Sequence, residues 1–181
     1  MAAIPNSRIG LSQRPYVFQS VPNTGKIMRI VVSEFFSEEE CRSLWEIGRS
    51  SDFGKAMQIP AFKRVIDLVQ SCVPEKLKLG KPSYYSIEDK PKGHLKHYDG
   101  CKLDFSPNHM PWCRYSAVSV VSNDFEGGIL RFYDPDQAFD DFYRSVIIYS
   151  SSADNNPQLH SRDEFTGSRN ALLMFFAVEK P

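Results

Sequence analysis

The 181-residue sequence lacks several features that would place it in a simple class of protein. Its lysines and arginines equal its aspartates and glutamates, 22 of each, so the formal net charge is zero. A neutral chain has no general electrostatic attraction for nucleic acid or for an anionic membrane. The sequence also lacks a run of about 18 apolar residues, the length that a membrane-spanning helix needs. We therefore expect neither a nucleic-acid partner nor a membrane partner.

The four cysteines also lack a pattern. Cys41, Cys72, Cys101 and Cys113 are far apart and form no C-x-x-C pair. Neither a zinc site nor a disulfide framework is therefore predicted, and we expect reduced thiols.

The N-terminal residues show no basic start followed by the roughly 7 to 15 apolar residues of a secretory signal. We expect a cytoplasmic protein.

The length favours one domain with a sizeable core. Residues 1–26 are rich in proline and glycine and weakly periodic, which predicts an irregular lead-in before a single domain over residues 27–181. Two helices are predicted early in that domain. Ser37 and Glu40 form a capping box at the start of the first. Apolar residues spaced by three and four predict the second over residues 60–73.

From Ser83 onward the pattern changes to short apolar and aromatic runs separated by turn residues. These runs are SYYSI, HLKHYD, RYSAVSVVS, GGILRFYD, SVIIYSSS and NALLMFFAV. Together with the helices they predict an α+β chain that is mainly β, with the helices packed outside a sheet. Several short antiparallel strands fit a double-sheet jelly roll, whose open end can hold a metal ion.

The segment GHLKHYD carries the clearest chemical pattern. His97 and Asp99 are two residues apart, so on an extended strand both side chains leave the same face and can bind one ion. We predict His160 as the third ligand, because two imidazoles and one carboxylate form the facial set that suits Fe(II) and oxygen chemistry. His94 is three residues from His97, which reverses the face on a strand, so we predict a structural or substrate-edge role for it. His109 is predicted to be a surface residue of a loop.

Arg169 lies nine residues after His160, across a predicted turn at residues 166–168. Its place at the start of the apolar run ALLMFF indicates a charge inside the fold, and a buried charge requires a partner. A planar guanidinium suits a carboxylate. Gly127 and Gly128 are predicted to permit a bend beside the site rather than to bind phosphate, because no helix pattern follows them.

The order of these motifs resembles the 2-oxoglutarate and Fe(II)-dependent dioxygenases, and within them the prolyl 4-hydroxylase group. The resemblance rests on the HxD pair, the Gly-Gly strand DFEGGILRFYD, the distant histidine, the arginine nine residues later and the closing segment GSRNALLMFFAV. It covers roughly residues 27 to 179, and the ordered set is far more specific than HxD alone. It implies a double-stranded β-helix, a jelly-roll or cupin-like fold, with the N-terminal helices packed on the major sheet.

The resemblance also implies roles for the site residues. The three predicted ligands would hold the iron and form the catalytic centre. Arg169 would bind the distal carboxylate of 2-oxoglutarate. Tyr85 resembles the family tyrosine that hydrogen-bonds this cosubstrate, with Tyr84 as the competing choice.

Other positions depart from the family or concern the substrate. Certain relatives have a second tyrosine for 2-oxoglutarate where this chain has Val121, so that hydrogen bond is absent or is made by Ser119 or Tyr149. Arg114 matches a position that contacts substrate in some of these enzymes. We predict that Arg114 and Trp112 contact the substrate.

These expectations lead to one reaction and three alternatives. The reaction is hydroxylation of a prolyl residue in a peptide or protein, using Fe(II), 2-oxoglutarate and O2, releasing succinate and CO2, with ascorbate as an accessory reductant. A hydroxylase of a free amino acid or other small molecule would use the same site, and a loop at residues 50–60 or 101–113 that shapes a peptide groove would distinguish the two. An AlkB-like nucleic-acid demethylase is disfavoured by the neutral charge and by the single suitable arginine after His160. A non-catalytic cupin-like binding module would show no turnover.

Overall fold

The computed structural model describes residues 18–20, 29–49, 58–80, 84–88, 92–140 and 142–179. Within these residues the helices are α1 (Glu38–Arg49) and α2 (Pro60–Cys72), with a short 3-10 helix at Ala153–Asn155. The strands are β1 (Phe18–Ser20), β2 (Arg29–Val32), β3 (Leu77–Leu79), β4 (Tyr84–Glu88), β5 (His94–His97), β6 (Tyr115–Val120), β7 (Asp124–Gly127), β8 (Leu130–Tyr133), β9 (Asp136–Phe139), β10 (Val146–Ser150), β11 (His160–Arg162) and β12 (Phe165–Val178).

The strands form two antiparallel sheets. The larger has the order β1-β2-β10-β6-β12-β3, and β4 and β7 pair with further stretches of β12. The smaller has the order β5-β11-β8-β9. The 14 residues of β12 pair with four other strands, which are β7, β4, β6 and β3. The prediction of a mainly β chain with flanking helices is confirmed, and the arrangement is jelly-roll-like.

One face of the larger sheet is covered by the two helices. Leu172, Met174 and Phe176 of β12 lie in the same buried apolar cluster as Leu44 of α1 and Phe62 of α2. Successive residues of a strand point to opposite faces, so these even-numbered residues share the helix side. The prediction that the helices pack on the major sheet is confirmed.

The opposite face of the larger sheet packs against the smaller sheet. Val118 of β6 and Ile147 of β10 share a buried cluster with Leu130 and Phe132 of β8. This cluster fills the space between the sheets at one end. Val118 and Leu130 also line the cavity described below.

A buried arginine also joins the two sheets. Arg29 on β2 is 1% exposed. Its guanidinium carbon lies 4.2 Å from the ring centroid of Phe132, and its nitrogens donate to the side chains of Gln137 and Gln158. Burial lowers the pKa of Arg29 to about 10, against the raising effect of Asp134. No sequence pattern predicts this contact.

The predicted capping box is confirmed at the start of α1. The Glu40 N–H donates to Ser37 Oγ at 3.1 Å, and the Ser37 N–H donates to Glu40 Oε2 at 2.8 Å. Two otherwise unpaired N–H groups at the helix start are thereby satisfied. Arg64 of α2 pairs with Glu40 and donates to the carbonyl of Phe35 at 2.8 Å, so the same residues also link the two helices.

The predicted turn at residues 166–168 was wrong, because these residues belong to β12 and pair with β7. Gly167 has a φ of +91°, and a Cβ there would lie 2.4 Å from the carbonyl oxygen of Asp124. Glycine therefore permits a bend within a continuous strand. The predicted bend at Gly127 and Gly128 is confirmed, since both have positive φ, Gly127 ends β7, and Gly128 lies between β7 and β8.

Several further predictions concern the chain as a whole. In the predicted lead-in, residues 1–26, the structure describes only β1, which pairs with β2, and the remainder lies outside the described residues. The lead-in and the single domain over residues 27–181 stay predictions. The four cysteines are free thiols. Neither of the described helices has the length and apolar character needed to cross a membrane.

Candidate metal centre and active-site cavity

Three side chains meet at one end of the space between the sheets. His97 ends β5 and His160 begins β11, and the register of these strands places the two residues directly opposite each other. Asp99 follows two residues after His97. One ligand atom from each residue lies within 4.8 Å of the others. The structure thus brings the three predicted ligands together.

Asp99 reaches this position by a different path from the one predicted. It lies beyond the end of β5, in a bend rather than on the strand. The next residue, Gly100, donates its N–H to the carbonyl of Ser151 at 3.1 Å, and a Cβ there would lie 2.6 Å from the carbonyl oxygens of Cys113 and Ser151. The Asn108 side chain donates to the carbonyl of Asp99 at 2.8 Å. The bend is therefore held from both sides.

Backbone carbonyls orient both imidazoles. His97 Nδ1 donates to the carbonyl of Leu95 at 2.7 Å, and His160 Nδ1 donates to the carbonyl of Gln158 at 2.9 Å. Donation from Nδ1 leaves the Nε2 lone pair available to a metal ion. Each Nε2 lies 3.6 Å from Asp99 Oδ1. The two nitrogens and this oxygen therefore converge on one point.

The second oxygen of Asp99 is occupied by hydrogen bonds. Asp99 Oδ2 accepts from Ser116 Oγ at 2.7 Å and from the Tyr149 hydroxyl at 2.9 Å. Burial raises the pKa of Asp99, but the charges of His160 and His97 and the hydrogen bonds outweigh it and hold the pKa well below its ordinary value. The carboxylate is thus charged, with Oδ1 directed at the histidines.

Burial of His160 favours the neutral, metal-binding form of its imidazole, whereas the contacts of His97 favour its protonated form. Burial lowers the pKa of His160, despite the opposing charge of Asp99. Burial also lowers the pKa of His97, but hydrogen bonds to Asp99 and Leu95 outweigh it and raise the pKa above its ordinary value. A neutral imidazole is the form that binds metal. Two imidazole nitrogens and one carboxylate oxygen on a common point fit a divalent transition metal such as Fe(II).

The three ligands form part of the wall of a cavity of about 200 Å³. All four histidines of the chain line it, and so do two arginines, Arg162 and Arg169. Pockets for drug-sized ligands measure about 300 to 1,000 Å³. The cavity therefore suits a smaller ligand.

Arg169 lies in this cavity as a buried cation. It is 2% exposed and lies on β12 on the same face as Leu173 and Phe175, which also line the cavity. Its guanidinium carbon is 5.8 Å from the ring centroid of Phe125. A Cβ on Gly128 would lie 3.3 Å from Arg169 Cδ, so the glycine leaves room for the arginine. The charge predicted inside the fold is found there.

The register of β4 bears on the choice between the two tyrosines. Tyr85 pairs with Leu172, which lies in the cluster under the helices, whereas Tyr84 pairs with Leu173, which lines the cavity. Directly opposite residues of antiparallel strands share a face of the sheet. The backbone register places position 84 opposite a cavity-lining residue, and the roles of Tyr84 and Tyr85 toward the cosubstrate stay predictions.

Of the positions considered for the second tyrosine, one lines the cavity. Val121 lies in the cluster under the helices, and Ser119 shares that side of β6 because it is two residues away. Tyr149 lines the cavity and donates to Asp99. Burial, followed by the charge of Asp99, raises the pKa of Tyr149 well above its ordinary value, so it is a neutral donor.

The two predicted substrate residues are not among the residues that line the cavity. Arg114 pairs with Asp154 at 2.6 Å and with Glu75 at 3.6 Å. Trp112 packs so closely on Gly80 that a Cβ there would overlap its ring. Substrate contact by Arg114 or Trp112 stays a prediction that requires a ligand extending beyond the cavity.

The face predicted for His94 was wrong. The pairing of β5 with β11 contains an irregularity, so that Arg162, two residues after His160, lies opposite His94, three residues before His97. The His94 and His97 rings are consequently 5.9 Å apart and both line the cavity. His94 is outside the metal-ligand group found among the described residues, and its predicted place at the substrate edge agrees with the cavity.

Three further residues, His109, Tyr98 and Arg162, line the cavity although the sequence analysis did not predict them there. His109, predicted as a surface residue of a loop, is exposed and also lines the cavity, as does Tyr98. Arg162 was not considered, so the argument that only one arginine after His160 is suitably placed was wrong. Its spacing of two from His160 is the signal that would have indicated it, because residues i and i+2 of a strand share a face.

Comparison with known proteins identifies the fold. No family model matches the sequence, and no curated protein matches it. Among solved structures, the viral collagen prolyl hydroxylase vCPH from Paramecium Bursaria Chlorella virus-1 aligns with a TM-score of 0.63 at 13% identity, covering 93% of this chain and 97% of that one. A prolyl-4-hydroxylase from Pseudomonas putida aligns with a TM-score of 0.60 at 13% identity, covering 84% and 93%.

A third similar structure is HygX from Streptomyces hygroscopicus, which has nickel and 2-oxoglutarate bound. It aligns with a TM-score of 0.57 at 14% identity, covering 83% of this chain and 81% of that one. At these identities the likeness establishes a shared fold. The chain therefore has the fold of prolyl 4-hydroxylase and 2-oxoglutarate oxygenase structures, as the motif resemblance implied.

Proposed function

We propose that this chain is an Fe(II)- and 2-oxoglutarate-dependent oxygenase that hydroxylates a prolyl residue in a peptide or protein. The observation that carries the proposal is one small cavity lined by His97, Asp99 and His160, whose ligand atoms lie within 4.8 Å of one another, and by the buried cation of Arg169. The fold is taken to be the double-stranded β-helix of this enzyme class. The four free cysteines suit a reducing compartment, and we place the reaction in the cytoplasm.

The three ligands would hold the iron, and the residues that hydrogen-bond to Asp99 would orient its carboxylate. When bound, iron activates O2 together with 2-oxoglutarate, so that succinate and CO2 are released and one oxygen atom enters a C–H bond of the substrate. Ser116 and Tyr149 keep Asp99 Oδ2 occupied and leave Oδ1 for the metal. Hydrogen bonds of this kind fix ligand orientation.

Arg169 would bind the distal carboxylate of 2-oxoglutarate. A guanidinium is a two-donor partner for a carboxylate, and the pair is stronger where water is excluded. Leu173 and Phe175 lie on the same face of β12 and provide an apolar wall for the methylene groups of the cosubstrate. Tyr84 or Tyr85 would add one hydrogen bond from β4.

The loop after β5 would shape the substrate side of the cavity. Tyr98 lines the cavity and stacks on Phe105, with ring centroids 5.5 Å apart and an interplanar angle of 29°. Phe105 and Leu103 are 54% and 62% exposed, so apolar groups stand beside the opening. Such a surface suits a prolyl ring and flanking peptide residues. The other candidate loop, residues 50–60, lies outside the described residues over residues 50–57.

A hydroxylase of a free amino acid is the second candidate. The observation that favours it is the small cavity of about 200 Å³ with a second arginine in its wall. The same metal ligands and the same cosubstrate would serve both reactions.

Mass spectrometry of the products tests the proposal. The protein is incubated with Fe(II), 2-oxoglutarate and ascorbate in air, with proline-containing peptides or with free proline. We expect a gain of one oxygen on a peptide proline, matched by succinate and absent in His160→Ala. Gain of oxygen on free proline alone would replace the peptide substrate with the small-molecule candidate. If the protein bound metal but no mixture produced succinate, the result would favour the non-catalytic binding module.

A further inference from the structure

Arg29 lies on the inner face of the larger sheet, next to residues of the candidate metal centre. In the pairing of β2 with β10 it is directly opposite Tyr149, and directly opposite residues of antiparallel strands share a face of the sheet. Tyr149 lines the cavity and donates to Asp99. Arg29 itself is buried and is not among the residues that line the cavity, so it can affect the metal site only through its neighbours.

The first of these neighbours is Gln158, whose backbone orients a metal ligand. The carbonyl of Gln158 accepts the Nδ1 proton of His160 at 2.9 Å. Arg29 Nη2 donates to Gln158 Oε1 at 3.1 Å, and the Gln158 N–H donates to the carbonyl of Ser150 at 3.0 Å. The arginine thus helps to hold in place the residue that sets the orientation of the His160 ring.

The second neighbour is Phe132, whose ring is close to both the arginine and the ligand. Phe132 is directly opposite His160 in the pairing of β8 with β11, and the two ring centroids are 5.6 Å apart. The guanidinium carbon of Arg29 lies 4.2 Å from the Phe132 centroid, and such a cation–π contact is strongest where water is excluded. Arg29 therefore also restricts the ring beside His160.

Further hydrogen bonds anchor the guanidinium of Arg29 to the smaller sheet. Its Nη2 donates to the carbonyls of Asp134 and Pro135 at 3.2 and 3.0 Å, and its Nη1 donates to Gln137 Oε1 at 3.2 Å. These residues lie between β8 and β9 and in β9, and β8 pairs with β11, the strand that His160 begins. The guanidinium is therefore fixed relative to the strand of this ligand.

What distinguishes Arg29 from an apolar residue at the same position is its set of directed donors. A methionine could fill much of the same space, but it has no donor for Gln158. We propose that Arg29 is a positioning residue for the metal centre, which acts through Gln158 and Phe132 to fix the imidazole of His160. The inference rests on the proposed function for the metal ion at His160, and it adds a residue that contacts neither the metal nor the cosubstrate.

Metal titration of matched variants of the full chain tests this without turnover. Arg29→Met removes the donors, Arg29→Lys keeps the charge, and Gln158→Met removes the acceptor while the arginine stays intact. Calorimetry measures Mn(II) affinity on chains that circular dichroism shows to be folded. Arg64→Met is the matched control, because Arg64 also lies over a phenylalanine ring, at 4.9 Å, and donates to a backbone carbonyl, but it belongs to α2.

We expect Arg29→Met to weaken Mn(II) binding by about tenfold or more, the usual effect of losing a residue that orients a metal ligand. Arg29→Lys should restore part of the affinity. Gln158→Met should also weaken binding, and the variant with both methionines should bind no more weakly than Arg29→Met, because residues that act through one contact are not additive. Arg64→Met should bind Mn(II) as the wild type does.

The hydrogen bond of His160 provides a second measurement. In the chain loaded with Zn(II), NMR follows the exchange of the His160 Nδ1 proton with water, which reports how firmly the Gln158 carbonyl holds the imidazole. The exchange should be faster in Arg29→Met than in the wild type and unchanged in Arg64→Met. A general contribution of buried arginines to folding would not separate the two variants in this way.

Three results would overturn the inference. One is equal Mn(II) affinity of the wild type and Arg29→Met or, if Arg29→Met does not fold, of the wild type and Gln158→Met. Another is an equal loss of affinity in Arg29→Met and Arg64→Met. The third is unchanged exchange of the His160 proton in Arg29→Met.

The proposed function can fail separately. If the wild-type chain bound Mn(II) but no 2-oxoglutarate, the oxygenase assignment would be wrong, and the role of Arg29 at the metal site would stand or fall on the variants. If the wild-type chain bound no divalent metal, both would be wrong.

Discussion

The two faces of the larger sheet differ in what they do, although they are built from the same strands. On the helix side, β12 presents Leu172, Met174 and Phe176 to a continuous apolar cluster. On the cavity side, the same strand presents Arg169, Leu173 and Phe175 to the candidate active site. Shape and hydrophobicity suffice on the first face, whereas the second needs particular functional groups. Substitutions on the two faces should therefore affect different measurements.

The largest expected effect is on the cavity side. His160→Ala should weaken metal binding by more than about 100-fold, because loss of a direct ligand exceeds the effect of losing a residue that only orients one. Turnover should be lost with it. Titration with Fe(II) under anaerobic conditions measures the affinity. If wild type, His160→Ala and Asp99→Ala bound iron equally well, the assignment of the metal site would be wrong. His94→Ala is the control and should retain the metal.

A core substitution on the helix side should have the opposite profile. Phe176 is 1% exposed, and Phe176→Ala should lower the free energy of unfolding by about 3 to 5 kcal/mol. The folded fraction should bind metal as wild type does. Denaturant unfolding gives the stability, and Val178→Ala at the 36% exposed end of the same strand is the control, with a change within about 0.5 kcal/mol. Equal losses in the two variants would contradict the burial of this face.

The cosubstrate side of the cavity should respond separately from the metal. Arg169→Ala should weaken 2-oxoglutarate binding by roughly ten- to a hundredfold, the value of a charge-assisted hydrogen bond, with little change in iron affinity. Arg169→Lys should restore part of the binding. Titration of 2-oxoglutarate into each variant measures this. Unchanged affinity in Arg169→Ala would assign the distal carboxylate to another residue.

A smaller effect on metal affinity is expected from a residue that only hydrogen-bonds to a metal ligand. Tyr149→Phe removes one of the two donors to Asp99 Oδ2 and should weaken metal binding by about tenfold. Tyr133→Phe is a suitable control, because the Tyr133 hydroxyl is hydrogen-bonded to Ser161 at 2.8 Å and does not contact the ligands. If both variants bind metal equally, Tyr149 has no role in orienting Asp99.

The smallest effect on 2-oxoglutarate affinity is expected from substitutions of the β4 tyrosines. The register places Tyr84 opposite Leu173 and Tyr85 opposite Leu172. Tyr84→Phe should therefore raise the dissociation constant of 2-oxoglutarate a few-fold, as loss of one neutral hydrogen bond predicts, and Tyr85→Phe should leave it unchanged. The reverse result would restore Tyr85, the residue indicated by the motif resemblance, to the cosubstrate site.

Local patterns predicted much of the fold. The capping box of Ser37 and Glu40 depends on a spacing of three residues, and the helix over Pro60–Cys72 depends on apolar residues three and four apart. Both are properties of a short segment, so the sequence contains them. The buried contact of Arg29 with Phe132 joins residues that are distant in sequence, and no spacing indicates it.

The metal ligands were predictable because their order along the chain is a pattern, even though Asp99 lies beyond the strand on which it was predicted. The position of His94 was not predictable, because an irregularity in the pairing of β5 with β11 changes the face. Arg114 was predicted at the substrate, yet it pairs with Asp154 and Glu75, which no pattern near it reveals. Sequence spacing therefore indicated which residues carry the chemistry better than it indicated their surroundings.

The metal dependence of 2-oxoglutarate binding shows whether one cavity holds both the metal ion and 2-oxoglutarate. Calorimetric titration of the wild-type chain with 2-oxoglutarate, with and without Mn(II), measures it. We expect one equivalent of 2-oxoglutarate bound per chain with Mn(II) and binding at least about tenfold weaker without it, since a second interaction in the same site is then lost. Equal affinity with and without the metal, or no binding in its presence, would contradict it.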